Sequence, residues 1–196
     1  LVVIKNTTND ANGPRLQFAS DKGAAGADND SAGEIIFTAD DDNQDQVDFA
    51  TIKATVADAS NSAEGGKLTL SVATHDAELQ PGLIIVDGDA EDEVDVTIGN
   101  GSGSVTTIAG DLTVTGTTTT VNSTTVNLND HNIVLDSGNS TSAVINGSGI
   151  TIEGGSGDDA TFTYSTTGPK FELKLGSSYE DLQLDQLIAG SLDISG

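Results

Sequence analysis

The large apolar side chains of this sequence come in short runs of period two: Leu68, Leu70, Val72; Val94, Val96, Ile98; Phe171, Leu173, Leu175. Alternation of that kind gives a strand one apolar and one polar face. The runs are bounded by clusters of Gly, Asn, Asp and Ser, which punctuate strands with turns. No Leu- or Ala-rich amphipathic run reaches helical length, so the chain is expected to be all-β.

A second constraint is how little core such strands can build. Only 35% of the 196 residues are hydrophobic, and the aromatics are five Phe and two Tyr, with no Trp, Met or Cys. Each large apolar side chain contributes roughly 1.5–3 kcal/mol on full burial, so a single chain this lean makes a weak core. Two escapes exist: disorder, or burial of the same residues between identical chains. The clean alternation favours the second.

Charge narrows the function classes. With 31 acidic against 7 basic residues the net charge is −24, which repels a polyphosphate backbone and an anionic membrane surface. Such acidity keeps an elongated particle soluble, and its self-repulsion is screened in salty water, where the Debye length is roughly 3–8 Å. The absence of Cys removes disulfides and thiol chemistry. No apolar run approaches the ~18 residues that suggest a membrane span, so no membrane insertion is expected, and no signal-peptide pattern is present.

The chain also repeats itself. Residues 108–116 read Ile-Ala-Gly-Asp-Leu-Thr-Val-Thr-Gly and residues 188–196 read Ile-Ala-Gly-Ser-Leu-Asp-Ile-Ser-Gly, identical at five of nine positions. Upstream, Val94, Val96, Ile98 and Gly99 correspond to Phe171, Leu173, Leu175 and Gly176. A repeat at this distance predicts a modular, extended protein. The first residue is not Met and the last is the closing Gly of a repeat, so the sequence is expected to be a segment of something longer.

Read in order, residues 1–33 form an N-terminal linker or connection, with short apolar pieces at 1–4 and 16–18 and a Gly/Ala/Asp/Asn-rich loop at 20–33. Residues 34–80 form a β module, with strands at 34–38, 47–51 and 67–73 and turns at 40–45 and 57–66. The step from Thr51 to Ile52 breaks phase, which predicts a bulge or strand end there. Residues 81–136 form a Thr-rich repeat module with ten Thr between 105 and 125. Its strands are expected at 83–86, 94–98, Val105/Ile108, Leu112/Val114, Val121, Val126/Leu128 and 133–135. Thr favours strands and can form hydroxyl ladders between neighbouring chains; the other reading of so Thr-rich a stretch is a glycosylated stalk. Residues 143–196 form a second repeat module, expected to continue beyond the chain end, with strands around Val144/Ile145, Ile150/Ile152, Phe162/Tyr164 and Phe171/Leu173/Leu175. Residues 178–188 read equally as a helical turn or a strand. Breaks are placed near 76–82, at Pro81-Gly82, and near 136–142.

The string Ala-Gly-Asp-Leu-Thr-Val-Thr-Gly-Thr-Thr-Thr-Thr-Val-Asn-Ser-Thr-Thr-Val at 109–126, followed by an Asn-Asp turn and Ile133-Val134-Leu135, resembles a module of the tail fibres of tailed bacteriophages, above all those of marine cyanobacterial phages. Residues 31–38, 64–71 and 149–154 resemble other recurrent pieces of such fibres, and together the likeness spans most of 14–196. The resemblance implies an elongated homotrimeric fibre of short-strand modules, intertwined or built of stacked β-sandwich or β-prism units. It also implies a place on the virion, and the function of holding a host-recognition tip away from the particle to support host attachment. Partners would be two further copies of the chain, other phage tail proteins and host envelope polysaccharide, with no nucleic acid. No enzymatic activity is expected.

Candidate sites were weighed against plainer readings. Asp40, Asp41, Asp42 and Asp45, and Asp87, Asp89, Glu91, Asp92 and Glu93, are oxygen-rich stretches that a hard cation such as calcium could use. Neither matches EF-hand spacing, and solvated acidic turns are the favoured reading. Residues 154–161 nearly match a calcium-binding nonapeptide, but place Thr161 where a large apolar residue belongs and occur once, so a turn is preferred. No cofactor is expected, calcium at these turns being the one alternative. His75 and His131 lack a nucleophile elbow and read as surface residues. Glu153, Asp158, Asp159 and Glu172 are the carboxylates a glycosidase pair could draw on, which makes a polysaccharide-degrading tailspike the enzymatic alternative. A calcium-dependent bacterial surface adhesin is the other, and a viral capsid decoration protein the third. Sequons at Asn6, Asn122, Asn139 and Asn146 are attributed to an Asn/Thr-rich composition. No catalytic, cofactor-binding or metal residue is assigned.

Overall fold

The computed structural model describes residues 1–116, 119–129 and 131–183. The described residues are all-β, arranged in two units, 1–117 and 118–196. Each unit is built on one antiparallel sheet.

Unit one is a five-stranded meander in which every strand pairs with its sequence neighbour. Its strands are β1 (Ser31–Asp40), β2 (Gln46–Asp58), β3 (Gly65–Ala73), β4 (Leu79–Asp87) and β5 (Val94–Ile98). The three-stranded unit expected from 34–74 is β1 to β3. The loop at 20–33 ends three residues early, at β1, and its end is tied down. Asn29 donates its amide to the Val56 carbonyl, Val56 donates to that of Asp30, and Lys22 pairs with Asp30 at 2.6 Å.

Cross-strand partners share a face of the sheet, so the register sorts the side chains. One row runs Ile35, Ile52, Leu70, Leu83, Ile98. Its neighbour runs Ala54, Leu68, Ile85, Val96, and a third Phe37, Ala50, Val72. These rows contain no charge. The opposite face carries Glu34, Lys53, Thr69, Ile84 and Thr97 in one row and Thr55, Lys67, Val86 and Asp95 in another. Glu34 and Lys53 sit 3.7 Å apart there.

The phase break falls three residues before the expected place. Phe37 pairs with Ala50 and Thr38 with Asp48, leaving Phe49 as the extra residue of a bulge, while β2 continues through Ile52 to Asp58. The sequence marks the change of phase only at the next apolar residue, whereas hydrogen-bond register marks the inserted residue itself. Pro81-Gly82 lies inside β4, because the register slips between Leu70/Leu83 and Ser71/Pro81. A bulge is one of the few places a strand tolerates Pro.

Unit two holds β6 (Gly149–Ile152), β7 (Ala160–Ser165), β8 (Lys170–Leu175) and β9 (Ser178–Tyr179), again in sequence order. Its apolar face carries Ile150, Phe162 and Leu173 in one row, Ile152, Ala160 and Leu175 in another, and Tyr164 beside Phe171. Val144, expected in a strand, lies in a single 3-10 turn, Ser142–Val144. Of 178–188, residues 178–179 are strand and 184–188 lie outside the described residues, as does the second copy of the repeat at 188–196.

The strands expected at Val105/Ile108, Leu112/Val114, Val121, Val126/Leu128 and 133–135 are not formed within the chain: residues 105–141 contain no strand among the described residues. No apolar residue among the described ones is buried; the two buried side chains are Thr51, 5% exposed, and Glu172, 8% exposed. Each sheet is one layer deep, and a second layer is what lets a sheet bury its apolar face.

Candidate functional site

The most organised group of polar side chains lies on the polar face of the second sheet. Period two along β8 places Lys170, Glu172 and Lys174 on one side of the strand, and the tight turn into β9 sets Tyr179 opposite Lys174. Lys174 Nζ lies 2.6 Å from Glu172 Oε2 and Lys170 Nζ 3.2 Å from Oε1. The Tyr179 hydroxyl donates to Glu172 Oε1 at 2.8 Å and accepts from Lys170 at 3.3 Å. Both ammonium groups also sit over the Tyr179 ring, 5.3 and 4.9 Å from its centroid. The hydrogen bonds from Lys174 and then Tyr179 hold the Glu172 carboxyl down at about 2, while Lys170 is raised by its bonds to Tyr179 and then Glu172, and Lys174 by its bond to Glu172.

That arrangement suits a charge clamp and not acid catalysis. A glycosidase general acid needs a raised pKa, whereas Glu172 is held ionised. Asp159 is occupied differently: its carboxylate accepts from the Gly154 amide at 2.9 Å and its carbonyl from Gly176 at 3.0 Å. It thereby closes the β6–β7 turn, in which Gly155 is left-handed at φ 66°. Residues 154–161 are thus one turn running into β7. Asp158 stands against Gly176, where an added Cβ would come within 2.7 Å of its Cγ.

The acidic stretches of the first unit are turns whose carboxylates cap their own backbone. Asp41 accepts from the amides of Asn43 and Asp45 at 2.8 and 2.9 Å, and Asn43 donates to Asp45. Between β4 and β5, Glu93 accepts from the amides of Asp89 and Ala90 at 3.0 and 3.1 Å. Among the described residues no group of three or more His, Cys, Asp or Glu side chains is arranged to hold a metal ion. His75 is exposed in the β3–β4 turn and His131 is exposed in an irregular stretch; Asp130, beside it, lies outside the described residues. Asn146 accepts from the Thr166 amide and hydroxyl, tying its turn to the β7–β8 connection, and Asn139 donates to the Asp136 carbonyl within its own turn.

The apolar face of the second sheet carries an aromatic group. Phe162 stacks on Phe171 with centroids 5.3 Å apart, and Tyr164 meets Phe171 edge-on at the same distance. Residues 133–145 approach this group through Ile133, Leu135 and Ile145, leaving an open hollow of about 360 Å³. Its polar members, Asp136 and Ser148, satisfy each other at 2.6 Å, which lowers the Asp136 carboxyl. The geometry is that of a core half covered by its own chain.

Sequence reasoning named the apolar side of β8 and, on its polar side, Glu172 as a candidate carboxylate, but not the lysines and Tyr179 that hold it. The signal was present as Lys-x-Glu-x-Lys, but the fourth member, Tyr179, depends on hairpin register. No helix among the described residues is long and apolar enough to cross a membrane. The chain matches no protein-family model, no characterised protein and no solved structure.

Proposed function

We propose that this chain is a structural segment of a bacteriophage tail fibre, assembled as a parallel homotrimer that holds a host-recognition tip away from the virion. One observation carries the proposal: among the described residues no apolar side chain is buried. Two ordered sheets with charge-free faces and no second layer call for cover from outside the chain. Identical chains wrapped about a threefold axis supply that cover on every copy at once and leave no long free sheet edge. The likeness of 109–126 to fibre modules supports the same reading, and the acidic remainder keeps such a rod from associating sideways.

Light scattering on a sizing column tests it. The expected mass is three times 19.8 kDa, in a particle that elutes earlier than a sphere of that mass. A folded particle of one chain's mass overturns the proposal.

A further inference from the structure

We infer that residues 105–129 are the segment through which copies of this chain pair with one another, by main-chain hydrogen bonds between equivalent stretches. The inference rests on the self-association proposed above and adds where, and by what bonding, the chains join.

Three observations converge on this stretch. First, its residues are strand formers in strand phase, with Leu112 and Val114, then Val126 and Leu128, alternating among Thr and Asn. Yet none of the described residues from 105 to 141 makes a main-chain hydrogen bond to another part of the chain outside the single 3-10 turn that begins at Ser142. Backbone donors and acceptors are almost always paired in a finished structure, and a β-forming stretch without partners among the described residues is a template for another chain. Secondly, its apolar side chains all face water: Val105 is 87% exposed and Leu112 71%.

The third observation identifies the occupant. Residues 105–129 carry one charge, Asp111, in a chain that holds 31 acidic side chains. Two copies approaching along any acidic turn repel each other; along this stretch they meet nearly neutral. A basic partner would be drawn to the acidic turns and away from it. Equivalent stretches in register also set Thr beside Thr and Val beside Val, the pairing that supports laddered strands.

Hydrogen–deuterium exchange on the whole chain, run with native mass, tests the inference. In the associated protein, amides of 105–129 are expected to exchange roughly a hundredfold slower than unstructured peptide, and to lose that protection on dilution to single chains. Thr115→Pro removes one donor from the proposed ladder and touches neither sheet. It is expected to lower the native mass at a given concentration and to remove the protection of the 105–129 amides. Val114→Asp should act the same way by placing a charge in the joint. An assembly of several chains whose 105–129 amides exchange freely overturns the inference and leaves the fibre reading standing. A wild-type chain of one-copy mass at every concentration overturns both. The wild-type exchange pattern decides the matter even if a variant fails to fold.

Discussion

Two stretches of this chain have nearly the same pattern and opposite fates. Val94, Val96 and Ile98 alternate and form β5, whose partners Asp87, Ile85 and Leu83 on β4 arrive through a six-residue turn. Leu112 and Val114, or Val126 and Leu128, alternate as well and form no strand among the described residues. Intrinsic propensity does not separate them, since the Thr-rich stretch is the better strand former by composition. What separates them is a partner within reach: β5 finds an open edge a short turn away, and 105–129 finds none among the described residues. Alternation predicts the conformation a segment will take once paired. It is silent on who supplies the other half of the ladder.

That comparison can be broken at its paired end first. Leu70 sits at the centre of the charge-free face of the first sheet. Leu70→Ala is expected to cost the native assembly about 2–5 kcal/mol, the range for truncation in a covered core, read from denaturant midpoints. A cost under about 1 kcal/mol would mean that the face stays wet and that the first sheet is no more covered than 105–129. Gly149→Ala is next. Its new Cβ would collide with the Phe162 carbonyl and lie 2.7 Å from the Thr163 Cα, where backbone must move. Overpacking of this kind costs roughly 1–3 kcal/mol, and unit two should lose its exchange protection before unit one.

The charge clamp gives a test by pH. Glu172 titrates at about 2 in the folded chain, below its ordinary 4.5. Its contribution is therefore complete above pH 4.5 and is lost as pH falls through about 2. The melting temperature of unit two should fall over that window, and Glu172→Gln should flatten the fall while lowering stability at pH 7. Equal acid sensitivity in wild type and variant would remove the clamp from the account. Tyr179→Phe deletes one hydroxyl bond and keeps the ring under both lysines; a loss of about 0.5–1.5 kcal/mol is expected. The smallest effect belongs to the unpaired stretch: Val114→Ser in the dissociated chain should change stability by under about 0.5 kcal/mol, because Val114 is more than half exposed and lies in no strand.

Much of the fold was legible in the residues. Apolar runs and period-two alternation, closed by Asn, Asp and Gly turns, placed eight of the nine strands, and the acidic stretches at 40–45 and 87–93 proved to be self-capped turns. Features set by register were not legible. The bulge at Phe49, the passage of β4 through Pro81-Gly82 and the meeting of Tyr179 with Glu172 each depend on which residues face one another across a gap that no local pattern encodes.

The sequence by itself determined that the chain is all-β, that its strands are short, and that its charge-free residues collect on one side of each strand. Those properties are local, fixed by side-chain alternation and turn chemistry. Only the tertiary structure decided that the two sheets stay one layer deep and that 105–129 has no strand partner among the described residues. Closing a sheet or pairing a strand depends on which edges come within hydrogen-bonding distance, and that follows from how the chain is routed.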